Sequence, residues 1–109
     1  MSVCERILQC FDLLIAQVRR GTTVTYGDFA RSLGVTPIGM GFYLMPVLNW
    51  CRYMEHPELP IIVVNKRTKR PSGPYVERVI GPETVRVFIF DWGSIERPSA
   101  DELYSFRRS

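Results

Sequence analysis

Between residues 25 and 44 the chain is punctuated in a way that few folds accommodate. The stretch TYGDFARSLGVTPIGM carries Phe29, Ala30 and Leu33 on one face of a short helix, then Gly34, then Thr36-Pro37. A glycine after the last apolar residue closes a helix because it adopts the left-handed backbone there without a steric penalty. Threonine followed by proline opens the next helix, the hydroxyl capping free N–H groups and the ring presetting the first helical φ. Two helices joined by Gly34-Val35 make a helix-turn-helix the expectation. Ala30 is small where such helices cross, and Met40 stands where the second helix closes the wedge, with Phe29, Leu33 and Val35 around them.

The flanking segments extend this frame. From Val3 to Arg19, apolar residues at Ile7, Leu8, Phe11, Leu14, Ile15 and Val18 follow a helical and not a strand period. Arg19 and Arg20 suit the negative end of that helix, and Gly21 its terminus. Thr22–Thr25 is short and β-prone. The helix opened by Pro37 is expected to run towards Met54 with a break or kink at Pro46. Leu44, Val47, Leu48 and Cys51 would face the core, with Trp50 and Tyr53 partly covered. Ile61–Val64 is a continuous apolar run that predicts a buried strand. Asn65–Gly73 would turn, and Pro74–Ile80 would return as a second strand. Val85–Phe90 fits a strand without excluding a helix, and Asp101–Arg107 a short helix carrying Leu103 and Phe106 back to the body. The expected architecture is therefore α+β: a winged helix-turn-helix, with an N-terminal helix and the helix-turn-helix followed by a β-hairpin wing from about Ile61 to Ile80.

A chain of 109 residues with 46% apolar content supports a single domain, 1–109, with one core. Glu5 and Asp12 interrupt the N-terminal apolar stretch, which does not suit a signal peptide, and no run of about 18 apolar residues predicts a membrane span. Cys4, Cys10 and Cys51 are odd in number and have no CxxC spacing, so free thiols in a reducing, cytoplasmic setting are expected. His56 is the only histidine, flanked by glutamates, and predicts no metal site. No glycine-rich phosphate loop and no convergent pair of carboxylates is present. No enzyme and no cofactor are expected.

Charge is more informative by position than by total. The net charge is +3, of which +4 lies in Lys66, Arg67, Lys69 and Arg70, leaving −1 elsewhere. Such a patch on a near-neutral body suits contact with a polyanion at one place, although a solvated hairpin tip would carry it equally well.

The segment from about Val18 to Gly73 resembles the C-terminal domain of the O6-alkylguanine-DNA alkyltransferases and the non-enzymatic alkyltransferase-like proteins. That family has V-T-T-Y-G-D/E-I/L-A, a glycine turn and a V-G-x-x-L/M helix. Here Gly21, Val24, Thr25, Tyr26, Gly27 and Asp28 match, followed by Phe29, Ala30, Gly34, Met40, Gly41 and Leu44. Met45-Pro46 and Leu59-Pro60 echo its later landmarks. The resemblance implies DNA binding, with Tyr26 pressing on a phosphate, a role that competes with packing of the turn. It also implies where chemistry is missing. The family's proline-cysteine-histidine-arginine box falls on Pro60-Ile61-Ile62-Val63, which offers neither a sulfur nucleophile nor a base. The arginine that the family inserts into the base stack falls on Ile38.

The outward face of the second helix is expected to carry Thr36, Pro37, Ile38, Gly41, Phe42 and Met45. Only threonine has a polar side chain, whereas reading the major groove requires amides or charges at base edges. Two readings follow. In one, the chain is a non-catalytic protein binding duplex or damaged DNA through shape and backbone, using Tyr26, Arg31, Thr36, Ile38 and Phe42 with Lys66, Arg67, Lys69 and Arg70. In the other, the same apolar face is a protein-interaction or oligomerisation surface, for a homodimer or another protein partner.

Overall fold

The computed structural model describes residues 1–71 and 77–108, with the side chains of Glu77 and Arg78 left aside. Helix α1 (Val3–Arg20) starts from a reciprocal cap: Ser2 Oγ accepts from Glu5 N–H, and the Glu5 carboxylate accepts from Ser2 N–H. It ends at Gly21 in the left-handed conformation, φ 76°. Strand β1 (Val24–Thr25) leads directly into α2 (Tyr26–Leu33), where Thr25 Oγ1 caps Asp28 N–H. A 3-10 turn over Pro37–Gly39 leads into α3 (Met40–Tyr53). A second 3-10 turn, Leu59–Ile62, precedes strand β2 (Val63–Val64). Helix α4 (Glu77–Ile89), a third 3-10 turn at Trp92–Ser94 and α5 (Ala100–Ser105) complete the chain.

This architecture overturns the expected α+β winged helix. The described residues are 66% helix and 4% strand, and the two short strands among them pair in parallel, Val24 with Val63 and Thr25 with Val64. A hairpin wing requires antiparallel neighbours, and β2 instead pairs with a strand some forty residues earlier. Ile61 and Ile62, expected in a strand, lie in the 3-10 turn, which Pro60 favours near its start. The expected return strand also fails where it can be followed. Residues 77–80 belong to α4, and Pro74–Val76 lie outside the described residues. Val85–Ile89 is helical too.

The basic segment folds back on itself directly after β2. Asn65 Oδ1 accepts from Arg67 N–H at 2.8 Å and Thr68 N–H at 3.1 Å, and Asn65 C=O accepts from Lys69 N–H at 2.8 Å. Asn65 N–H donates to Arg70 C=O at 2.9 Å, so the basic segment closes locally as a compact turn. Helix α4 is anchored through its middle: the buried Glu83 carboxylate accepts from Glu58 N–H at 2.7 Å and pairs with Arg86.

A single core lies between α1, α2, α3, α5 and the Leu59–Val63 segment, with Val87 added by α4 and Trp92 by the third 3-10 turn. Pro46 does not break α3, because Leu44, Val47, Leu48 and Trp50 on either side of it are buried in this core. Trp50 is fully rather than partly covered: it meets Phe11 edge-on at 5.5 Å, and its indole N–H donates to Glu102 at 2.8 Å. Tyr53 is exposed but stacks beside Phe106. Among the described residues no helix is long and apolar enough to cross a membrane.

Candidate nucleic-acid interface

The parallel strand pair organises the candidate site. Thr25 faces Val64, β1 runs on into Tyr26, and β2 runs on into Asn65. Neighbouring strands lie about 4.8 Å apart, so the start of α2 and the start of the basic turn emerge side by side from the same end of the sheet. Lys66, Arg67, Lys69 and Arg70 are all exposed there. Lys69 sits at φ 61°, a left-handed conformation that lets the turn close. Among the described residues Lys66, Arg67 and Lys69 form no ion pair.

The other end of α2, about 12 Å away for eight residues, delivers the turn. Gly34 takes φ 79° and its N–H returns to Ala30 C=O at 2.8 Å. The turn is held from outside by a residue that sequence reasoning missed. Arg6 of α1 donates from Nη1 to Leu33 C=O at 2.8 Å and to Gly34 C=O at 3.1 Å, placing a cation on the negative end of α2. Nothing in the spacing of Arg6 signals this, because its partners are 27 and 28 residues downstream.

Beyond the turn, the nine candidate residues differ in what they have left to offer. Thr36 spends its hydroxyl as a cap on Gly39 N–H, 3.3 Å away. Arg31 is exposed but pairs with Asp28 at 3.0 Å. Ile38 is 99% exposed at the tip of the 3-10 turn, and Phe42 is 53% exposed with its ring edge-on to Tyr43 at 5.1 Å. A Cβ added at Gly41 would meet no atom within 4 Å, so this stretch of backbone is open to close approach. Tyr26 is half-buried and packs against the core. Tyr26 thus belongs with the basic turn, and Ile38 with Phe42, the two groups standing at opposite ends of α2.

The positions that match the reactive box are interior. Ile61, Ile62 and Val63 are all buried. Burial pushes the Cys51 thiol up to about 12 and raises the Cys10 thiol as well, so both stay protonated. Cys4 is half-buried in the first turn of α1. His56 lies among the rings of Trp50, Phe90 and Trp92 at 5.3, 5.3 and 6.1 Å, and burial lowers its pKa. Among the described residues no three His, Cys, Asp or Glu side chains are grouped to hold a metal ion. Comparison of the chain with protein-family models, with curated proteins and with solved structures found no match.

Proposed function

We propose that this protein is a non-catalytic binder of double-stranded DNA that acts through the two ends of α2. The observation that carries the reading is the pairing of β1 with β2, which brings four basic residues to the start of a helix whose far end presents an exposed apolar tip. Charge at one end and an apolar wedge at the other suit a duplex: cations neutralise phosphates, and an apolar side chain enters between base steps. The resemblance of Val24–Ala30 and Gly41-x-x-Leu44 to the alkyltransferase-like proteins supports the same reading. Isoleucines in place of the family's cysteine and histidine support binding without alkyl transfer. The cytoplasmic setting expected from the free thiols belongs to the same proposal.

The test is fluorescence anisotropy with single-stranded, duplex, mismatched and O6-methylguanine-containing DNA at two salt concentrations. Saturable, salt-sensitive binding to duplex supports the proposal, and no binding at low salt refutes it. A second reading is favoured by one observation, the near-complete exposure of Ile38 beside Phe42. On that reading the tip docks another protein or a second copy, and sedimentation of the wild type against Ile38→Asp separates the two.

A further inference from the structure

The basic turn carries one group that DNA binding leaves unused, the hydroxyl of Thr68. Cations flank it on both sides, Lys66 and Arg67 before it and Lys69 and Arg70 after it. Residues 65–70 are all exposed, so Thr68 stands on the surface. Several other hydroxyls are committed to structure: Ser2, Thr25, Thr36 and Ser99 cap helical turns, and Ser94 and Ser105 donate to backbone carbonyls. Thr68 Oγ1 only accepts, from Arg70 N–H at 3.2 Å, and its O–H has no acceptor among the described residues.

The surroundings of Thr68 suit an added anion. An open hollow of about 710 Å³ is lined by Thr68 together with Asn65, Lys66 and Arg67. A group built onto the hydroxyl therefore has space beside two cations. Lys66 and Arg67 have no carboxylate partner among the described residues, so their donors are available to it. The turn is closed by Asn65 and by backbone bonds between exposed residues. Such local closure opens at a small fraction of the global unfolding free energy, so an enzyme can draw the segment into an extended form.

We propose that Thr68 is a phosphorylation site whose phosphate is held by Lys66 and Arg67, and that the modification releases the turn from DNA; the release rests on the DNA-binding reading. The phosphoryl donor is ATP, and the enzyme is a kinase that selects basic residues around its acceptor by charge. Thr68 Oγ1 attacks the γ-phosphorus and forms the new P–O bond. The bond from that phosphorus to the bridging oxygen breaks, ADP leaves, and the hydroxyl proton passes to a carboxylate of the kinase. The phosphate brings about −1.5 to −2 at pH 7, so the turn falls from +4 to about +2. Two of its cations are then engaged within the chain by charge-assisted hydrogen bonds rather than by a duplex.

The probe is the catalytic fragment of protein kinase C with Mg-ATP, acting on the full chain, with the site mapped by peptide mass. One phosphate on Thr68 is expected, and its absence from that peptide in Thr68→Ala. By phosphorus NMR the group should titrate below the ordinary second pKa of about 6, because neighbouring cations favour the dianion. Replacing Lys66 and Arg67 by alanine should return it to that value, while Lys69 and Arg70 remain to guide the kinase. Duplex affinity of the modified chain should fall at least about tenfold at ~0.1 M salt, with the salt slope flattened by about 2. Four results would overturn the proposal: no incorporation, a phosphate on Ser72 instead of Thr68, titration at the ordinary value, or unchanged duplex affinity after modification. If the unmodified chain ignores duplex DNA, the DNA-binding reading fails, while the mass and the phosphorus titration still decide the phosphate site.

Discussion

Arg6 and Leu33 are joined by a hydrogen bond of 2.8 Å that spans 27 residues and ties the first turn of α1 to the last carbonyls of α2. The helix C-terminus leaves those carbonyls without internal donors, and a guanidinium satisfies two of them at once. The angle at which the chain leaves α2, and with it the placement of Ile38, depends on this brace. Arg6→Met should cost about 1–2 kcal/mol of stability, as for a partly buried charged hydrogen bond. Gly34→Ala should cost a similar amount, about 1–2 kcal/mol for a non-glycine residue at positive φ. Its Cβ would also stand 3.1 Å from Arg6 Nη1, so the two substitutions should be non-additive. Urea unfolding of the two variants and their double mutant measures the coupling; strict additivity would remove the brace from the account.

The basic turn makes a quantitative claim on salt dependence. Each neutralised phosphate contributes about 0.9 to the slope of log affinity against log salt. Replacing Lys66, Arg67, Lys69 and Arg70 together by alanine should flatten that slope by roughly 2–4 on duplex DNA. The turn is closed by Asn65 and backbone groups rather than by these side chains' charges, so circular dichroism and the melting temperature should stay near wild type. An unchanged slope in a folded variant would reduce the patch to a solvated loop.

Sequence logic succeeded where a structural signal is local. Gly34 and Thr36-Pro37 mark where one helix ends and the next begins, because the required φ and the missing N–H are properties of those residues themselves. The 3.6-residue stripe of α1 and the burial of Leu44, Val47, Leu48 and Cys51 were legible for the same reason. Ile61–Val64 was legible as interior but not as a 3-10 turn plus two strand residues, since a continuous apolar run carries no period. The expected wing is absent among the described residues because turn residues followed by apolar residues look alike whether the chain returns as a strand or enters a helix. Glu83 meeting Glu58 N–H, a contact across 25 residues, belongs to the helical outcome. The nine candidate residues are chosen from the sequence alone, and their grouping at the two ends of α2 rests on a parallel pairing that two-residue strands cannot announce.

The thiols divide into two classes. Cys10 and Cys51 are buried, and burial raises both thiol pKa values, whereas Cys4 is half-buried near the N-terminus. A chromogenic disulfide reagent should therefore titrate one thiol in the native protein and all three after unfolding. Incubation with O6-methylguanine DNA should leave the mass of the chain unchanged. Stoichiometric gain of a methyl group on any cysteine would overturn the non-catalytic reading.

His56 predicts a step in stability with pH. Burial among aromatic rings lowers its folded pKa below the ordinary 6.5, so the unfolded chain takes up the proton first. Stability from this group is then complete above 6.5 and is lost as pH falls from there through the depressed value. Urea midpoints across about pH 5–8 should fall on the acid side in the wild type. His56→Phe keeps the ring contacts and should flatten that part of the profile; an identical profile would assign the step to carboxylates.

Ile38 separates wedge from docking surface, because its exposure removes the usual confusion with folding. At 99% exposed it contributes no packing, so Ile38→Ala and Ile38→Asp should each alter stability by no more than about 0.5 kcal/mol. If the tip enters the minor groove between base steps, Ile38→Ala should weaken duplex binding by about 1–2 kcal/mol, part of the few kcal/mol exchanged in unstacking. Its salt slope should be unchanged, since no phosphate contact is lost. Phe42→Ala should act in the same direction through the adjacent ring. Tyr26→Phe, at the opposite end of α2, should cost about 0.5–1.5 kcal/mol as one lost hydrogen bond. The docking reading reverses the pattern: Ile38→Asp abolishes self-association or partner capture while duplex affinity and its salt slope stay at wild-type values. Anisotropy and sedimentation on the same two Ile38 variants therefore decide the matter. Loss of association with intact DNA affinity sinks the wedge. Loss of DNA affinity in a monomer at constant salt slope establishes that the 3-10 turn ahead of α3 enters the duplex through its apolar tip.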